Sequence, residues 1–309
     1  MEQPVVLLTG PTASGKSALA LELARRLEQF GGATIINADS MQVYRELRIL
    51  TARPTIADEE AVPHRLYGIL PASQPWSAAK FCEQARETIA ETQAQGRIAL
   101  VVGGTGLYLR ALVQGLARIP TVSTTVRDEA RAMMDRLGPK DFHQALAGRD
   151  PETAQTIGDT DRQRLTRAWE VLTETGRSLA DWQREPPVGG LMGPTVCAVV
   201  DVPREDLYRR IDARFTAMLD GGGLDEAAAF LATDTPLDAP ARRAVGVQEL
   251  ANFLSGSLDR TQAIAAGQQA TRRLAKRQLT WYRNQITDWP RLEQYSETSI
   301  NEFFAKIRA

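Results

Sequence analysis

Cysteine and histidine are scarce: the 309-residue chain has two of each, Cys82, Cys197, His64 and His143, scattered singly. A Cys/His zinc site needs four ligands, usually in close pairs such as C-x2-C, so no zinc finger is possible. Two isolated cysteines supply no disulfide framework either, which fits a reducing compartment. Long apolar runs are missing too. The longest, such as Ile98 to Val102 and Val196 to Val200, fall far short of the roughly 18 residues that suggest a membrane span. The opening Met-Glu-Gln-Pro has no basic leader. The chain is therefore expected in the cytoplasm, without a membrane partner.

An excess of one charge is likewise absent. With 37 basic against 38 acidic side chains the net charge is −1, so no global field draws the chain to polyanions. A global sum still allows local faces of either sign. The 23 glycines and 16 prolines are ordinary in number and exclude collagen and long low-complexity tracts. At roughly 150 residues per domain, the length accommodates one large or two ordinary domains.

What is present is an alternation of short apolar runs with helical patterns, the sequence form of βαβ units around a parallel sheet. Val5 to Thr9 reads as a buried strand, followed by a Gly-rich turn and a helix from about Lys16 to Gln29. Thr34 to Ala38, Ile98 to Val102 and Thr195 to Val202 read as further strands. Between Pro120 and Gln183 no strand pattern occurs, and helices broken at Gly138-Pro139, Gly148 and Gly158 lead to a linker at Pro186 to Gly190. The expected fold is α/β, a P-loop NTPase-like parallel-sheet core (residues 1–119 and 191–309, with C-terminal helices) carrying a helical insertion domain at 120–190.

Gly10-Pro11-Thr12-Ala13-Ser14-Gly15-Lys16-Ser17 fits G-x4-G-K-[ST] between a strand and a helix. Its backbone N–H groups form a nest for phosphate oxygens at a helix N-terminus, with Lys16 as the neutralising cation and Ser17 as a ligand for Mg²⁺. P-loop hydrolases usually carry an apolar strand ending in an Asp that helps hold Mg²⁺. Here Ile98 to Val102 ends in Gly103-Gly104-Thr105-Gly106 without a carboxylate, which disfavours a hydrolytic motor. Asp39, just past the second strand, is the best-placed carboxylate, although position alone equally suits a loop or helix-cap residue. Thr105 is similarly readable as a reactive-group orienter or as part of a tight turn.

The neutral total hides basic segments. Between Arg260 and Gln285 stand Arg260, Arg272, Arg273, Lys276, Arg277 and Arg283 with no acid, several along one helical side. Arg162-Gln163-Arg164-Leu165-Thr166-Arg167 is a second basic element, with Leu165, Ala168, Trp169 and Leu172 as its apolar stripe. Arg242-Arg243-Ala244-Val245-Gly246-Val247-Gln248-Glu249 is a third. Beside a phosphate loop, these suggest an enzyme acting on a phosphorylated small molecule and a nucleic acid.

Taken together, six strings resemble the bacterial tRNA dimethylallyltransferases, also called isopentenyl-diphosphate:tRNA transferases. They are Gly10 to Ser17, Asp39-Ser40-Met41-Gln42-Val43-Tyr44, Gln74 to Ser77, Val101 to Tyr108, Asp161 to Val171 and Thr271 to Arg283, in family order across nearly the whole chain. Departures occur at Leu50-Thr51-Ala52-Arg53-Pro54, Pro63-His64-Arg65 and Gly246-Val247-Gln248-Glu249; the last removes a cation and an aromatic ring from a tRNA-contacting segment.

The resemblance implies transfer of a dimethylallyl group from dimethylallyl diphosphate to N6 of adenosine 37 in the tRNA anticodon stem-loop, releasing diphosphate with Mg²⁺ at Ser17. It implies that Asp39 accepts the amine proton, that Thr105 fixes amine or donor geometry, and that Arg210 or Arg214 adds a cation to the diphosphate clamp. Contacts with tRNA are implied for Asp39, Ser40, Met41, Gln42, Thr105, Arg127, Gln163, Arg164, Leu165, Thr166 and Arg167. They are also implied for Arg243, Ala244, Val245, Gly246, Val247 and Gln248, and for Lys276, Arg277, Gln278, Leu279, Thr280, Trp281, Tyr282 and Arg283. The chain is expected to act as a monomer. A P-loop small-molecule kinase and a non-catalytic RNA-binding switch each use a subset of these features; ATP-dependent phosphate transfer without tRNA marks the first, lack of turnover the second.

Overall fold

The computed structural model describes residues 3–293 and 296–308. The first apolar run forms β1 (Val5–Thr9), with every side chain buried. A strand apolar on both faces needs cover on both, and β1 is accordingly central in a parallel sheet. Its partners are β2 (Ala33–Asn37), β3 (His64–Arg65), β4 (Ile98–Gly103), β5 (Thr195–Asp201) and β6 (Arg291–Glu293). The six strands run in the order β3-β2-β4-β1-β5-β6, every pair parallel. The α/β class and P-loop-like core are as expected, but β3 and β6 were not foreseen. Both are edge strands of two and three residues with no apolar run to announce them.

Register places the site. Thr9 lies opposite Gly103, and Asn37 opposite Val102, so β1, β4 and β2 end side by side. The segments starting at Gly10, Gly104 and Ala38 therefore leave one sheet edge together, where open α/β sheets take their ligands. Gly103 makes this closeness possible: a β-carbon there would lie 2.2 Å from the Ala38 backbone.

The helix after the Gly-rich turn spans Lys16–Leu27, and Glu28–Phe30 tightens into a 3-10 turn before Gly31 (φ 97°) reverses the chain. Leu19, Leu23 and Leu27 pack on Val6, Leu8, Ile35 and Leu100 in the main core. A second core gathers Tyr44, Leu47, Phe230 and Leu250 around Phe215 of the helix Arg204–Met218. The long helix Arg260–Gln285 crosses that helix at Gly267, where a β-carbon would sit 1.9 Å from the Phe215 ring.

The chain divides into two compact units, one formed by the residues up to Val113 and from Leu191, the other by Gln114–Gly190. The second unit runs from Gln114, and near its two ends Leu116 and Val188 exchange both backbone hydrogen bonds, at 3.0 and 2.9 Å. The expected linker thus contains half of a β-bridge. Four helices, Thr124–Ala147, Pro151–Thr156, Arg162–Thr175 and Leu179–Arg184, make up the unit. Phe142, Leu146, Leu165, Ala168 and Val171 are its core, and the first helix kinks at Gly138 (φ 73°) ahead of Pro139. Among the described residues, no helix is long and apolar enough to cross a membrane.

Candidate functional site

The phosphate loop links β1 to the helix Lys16–Leu27. Ala13 (φ 65°) and Gly15 (φ 86°) take left-handed conformations, which turn successive amides inward. Two loop amides are already used: Ser14 N–H donates to the Pro11 carbonyl (3.1 Å) and Thr12 N–H to Gln278 Oε1 (2.9 Å). The amides of Ala13, Gly15, Lys16 and Ser17 donate to no acceptor among the described residues. They are the orphan donors of a helix N-terminus and can take phosphate oxygens. Ser14 Oγ is buried against Gly10 without a hydrogen-bond partner, and Ser17 is exposed.

Asp39 stands at the next strand end but one. Asn37 Oδ1 accepts the Asp39 N–H (2.8 Å), and Asp39 Oδ1 accepts the Met41 N–H (2.9 Å). One carboxylate oxygen therefore fixes the local turn. The other, Oδ2, lies 3.4 Å from where a β-carbon on Gly104 would be and accepts no hydrogen bond among the described residues. Thr105 N–H donates to the Ala38 carbonyl (3.3 Å), and Thr105 Oγ1 accepts the Ser40 N–H (3.0 Å). Thr105 thus stitches the β4 loop to the segment carrying Asp39.

Lys16 and Arg214 stand in the field of this carboxylate. Burial lowers the Lys16 pKa to about 8, Asp39 opposing the shift and Arg214 adding to it. Arg214, reaching in from the helix Arg204–Met218, donates to Thr12 Oγ1; burial lowers its pKa, and Asp39 again opposes. Arg210 lies one turn earlier on that helix and is half-buried. Two half-buried cations, four unused amides and a carboxylate therefore share one space.

The Lys16 shift has a measurable sign. Below pH about 8 the amine is already charged, so a bound diphosphate gains its full attraction; above that, binding must take up a proton. Affinity for a diphosphate anion is expected to fall by up to about tenfold per pH unit above the Lys16 pKa. Calorimetric titration of inorganic diphosphate across this range checks it, and a flat profile would count against Lys16 as the phosphate cation.

For a metal, the donor set has one chemistry. Among the described residues no group of three or more His, Cys, Asp or Glu could hold an ion. Mg²⁺ is commonly held by few protein oxygens plus substrate phosphates, and an exposed hydroxyl at Ser17 beside four phosphate-ready amides fits that arrangement. Both thiols are pushed up to about 11, chiefly by burial, so neither is a nucleophile near neutrality.

The long helix Arg260–Gln285 has two unlike sides. Outward stand Arg273, Lys276, Arg277, Thr280 and Arg283, all exposed, and among the described residues none of these cations forms an ion pair. The acid-free run in sequence is not acid-free in space. Arg272 pairs with Asp212 (Nε to Oδ1, 2.9 Å) and Arg260 with Asp220 (2.6 Å), each acid coming from a segment outside the run. These two arginines are internal ties, which sequence spacing could not reveal.

Inward, Gln278 Nε2 donates to the Gly104 carbonyl (2.9 Å) while its Oε1 holds Thr12. The buried Tyr282 hydroxyl reaches the Gly104 and Gly10 carbonyls (2.9 and 3.1 Å) and accepts from Thr9 Oγ1 (3.2 Å). Half-buried Trp281 packs on Gly106, where a β-carbon would lie 2.2 Å from the ring. Half-buried Leu279 packs against the main core.

Several residues expected to touch tRNA are instead core. Leu165 and Tyr282 are 0% and 1% exposed, and Ala244 and Val247 are buried in the second core. Buried Gly246 (φ 101°) turns the chain into the helix Val247–Leu254; Val245 is half-buried, and Arg243 and Gln248 are exposed. The apolar stripe Leu165, Ala168, Trp169 and the spacing Thr271, Ala275, Tyr282 already carried the inward signal.

In the second unit, Gln163 is exposed while Thr166 and Arg127 are half-buried. Arg162, Arg164 and Arg167 pair with Asp135, Asp161 (3.5 Å) and Glu170 (3.3 Å), so this element is less cationic than its sequence. In the first unit, Ser40 and Met41 are half-buried, and Gln42 Nε2 donates to the Thr51 and Ala52 carbonyls (2.8 and 2.9 Å).

With the geometry in hand, comparison with known proteins gives a consistent result. Residues 42–285 match the family model described as IPP transferase, and residues 3–69 the one described as isopentenyl transferase. A Rhodospirillum centenum protein named tRNA dimethylallyltransferase is 50% identical over 287 residues, covering 92% of this chain and 90% of its own length. One of the same name from Granulibacter bethesdensis is 48% identical over 320 residues, covering 100% and 99%. The solved tRNA isopentenylpyrophosphate transferase from Bacillus halodurans superposes with a TM-score of 0.67 at 32% identity, over 99% of this chain and 96% of that one.

Proposed function

This chain belongs to the IPP transferase family, and from that premise we propose that it is a tRNA prenyltransferase that alkylates N6 of adenosine 37 in the anticodon loop with the dimethylallyl group of dimethylallyl diphosphate. The observation that carries the site reading is the free Oδ2 of Asp39 at a strand end beside an anion-binding loop. The relatives named tRNA dimethylallyltransferase favour it, and none of those described is a kinase. Lys16, Asp39, Thr105 and Arg214 all belong to one unit of one chain, which supports action as a monomer. A cytoplasmic setting agrees with two free cysteines.

The donor diphosphate sits on the amides of Ala13, Gly15, Lys16 and Ser17, with Lys16 and Arg214 as counter-charges. As the C1–O bond breaks, negative charge grows on the departing diphosphate, and these fixed donors stabilise it more than they stabilise the ground state. Held by Ser17 Oγ and diphosphate oxygens, Mg²⁺ would supply further neutralisation of that charge. The N6 lone pair, delocalised into the adenine ring, is a poor nucleophile. Asp39 Oδ2 takes the N6 proton as the N6–C1 bond forms, and Thr105 holds the Asp39 segment in place. Adenosine 37 must leave its stack to reach this buried space.

The exposed cations Arg273, Lys276, Arg277 and Arg283 are the RNA-facing groups of the long helix, gripping phosphates of the anticodon arm. Arg277→Ala is expected to weaken tRNA binding and to lower its salt slope by about one. An unchanged slope in filter binding between low and moderate salt would remove the phosphate contact. The activity itself is tested by incubating the protein with Mg²⁺, dimethylallyl diphosphate and unmodified tRNA carrying adenosine 37. A prenyl mass gain on that nucleoside is expected, and none with folded protein would sink the reading.

A further inference from the structure

We propose that Gln278 and Tyr282 are positioning residues, which set the spacing between the donor-binding loop and the Asp39 and Thr105 shelf and do not contact RNA. This rests on the prenyl-transfer reading of the site. The phosphate loop and the Gly104 loop lie far apart in sequence, and β1 and β4 fix only the strand ends that carry them. Beyond those ends, the described ties between the two loops run through the long helix. Gln278 uses both halves of its amide, Oε1 on Thr12 N–H and Nε2 on the Gly104 carbonyl. Tyr282 adds a hydroxyl shared between the Gly10 and Gly104 carbonyls.

One bond from each side chain ends on Gly104, the residue lying against Asp39 Oδ2, and the other on the phosphate-loop side, at Thr12 or Gly10. A shift of Gly104 relative to Thr12 therefore moves the base relative to the diphosphate. Reacting atoms must approach to about 3–3.5 Å, and an error near 1 Å can cost about a hundredfold in rate. The amide needs a donor and an acceptor on one stem of this length; asparagine is a methylene shorter and leucine has neither group. Burial of Tyr282 and the inward pointing of Gln278 leave the outer cations to engage RNA.

The test uses the full chain with Gln278→Leu and, separately, Tyr282→Phe, which keeps the ring and removes only the hydroxyl. For Gln278→Leu, kcat is expected to fall about 10- to 100-fold, with a higher donor KM and weaker affinity for inorganic diphosphate. Tyr282→Phe should lose less, about three- to tenfold. Filter-binding Kd for tRNA should stay within about twofold of wild type for both, a split that general loosening of the fold would not produce.

A rise in tRNA Kd matching the loss of turnover would overturn the proposal, as would wild-type kcat and diphosphate affinity in both variants. If Gln278→Leu does not fold, Tyr282→Phe decides by the same criteria. Should the wild-type protein itself fail to transfer a prenyl group, the functional reading falls. The diphosphate affinities then decide alone, weakened binding in the variants supporting the positioning role and unchanged binding refuting it.

Discussion

An Asp39→Asn variant is expected to lose about 10²- to 10⁴-fold in turnover while binding tRNA within about twofold of wild type. Asparagine keeps the shape and the oxygen that caps Met41 N–H, so the turn around residues 37 to 41 survives. What disappears is the basic oxygen Oδ2. Asp39→Ala adds loss of the cap, about 1 kcal/mol of local stability, and should reduce turnover at least as far. Single-turnover prenylation at saturating tRNA isolates the chemical step. Equal losses in turnover and tRNA affinity would show that Asp39 binds RNA and does not move the proton.

Removing the Lys16 ammonium should rank next. Lys16→Met is expected to lower kcat/KM for the donor about 10²- to 10³-fold, the range for removing one preorganised donor from a developing anion. The side chain is half-buried beside Arg214 and Asp39, and its desolvation strengthens its hold on an anion. The same variant should abolish the fall in donor affinity above pH about 8, because the group that titrates there is gone. Persistence of that limb would assign it to another residue, and a donor KM and kcat like wild type would remove Lys16 from the clamp.

How much of this was legible in the sequence follows the range of the interactions. Gly10 to Ser17, Asp39 and Gly103 to Gly106 are local: each is a strand end followed by residues whose backbone needs are visible in their side chains. The helical character of the second unit was readable from its stripes, and so were β1, β2, β4 and β5. β3 and β6 were not, since an edge strand of two or three residues is stabilised by its neighbour and not by its own pattern. The pairing of Arg260 and Arg272 within the basic run at 260–285 was hidden for the same reason. Its acids, Asp212 and Asp220, lie 60 and 40 residues away along the chain. The inward role of Gln278 is also non-local: a polar residue on an amphipathic helix looks solvent-facing until Thr12 and Gly104 arrive opposite it.

The separation between the phosphate loop and the helix that props it also sets an order of manufacture. Thr12 and Gln278 are 266 residues apart, and Gly10 and Tyr282 are 272 apart. At about 5–20 residues per second, the loop exists for some tens of seconds before its props are made. A ribosome-bound chain thus carries the anion nest early but meets the spacing for alkylation only after the long helix has been made. Competence to modify tRNA arrives after the outer cationic face and the inner props have been laid down by the same stretch of message, so an unfinished chain lacks both at once.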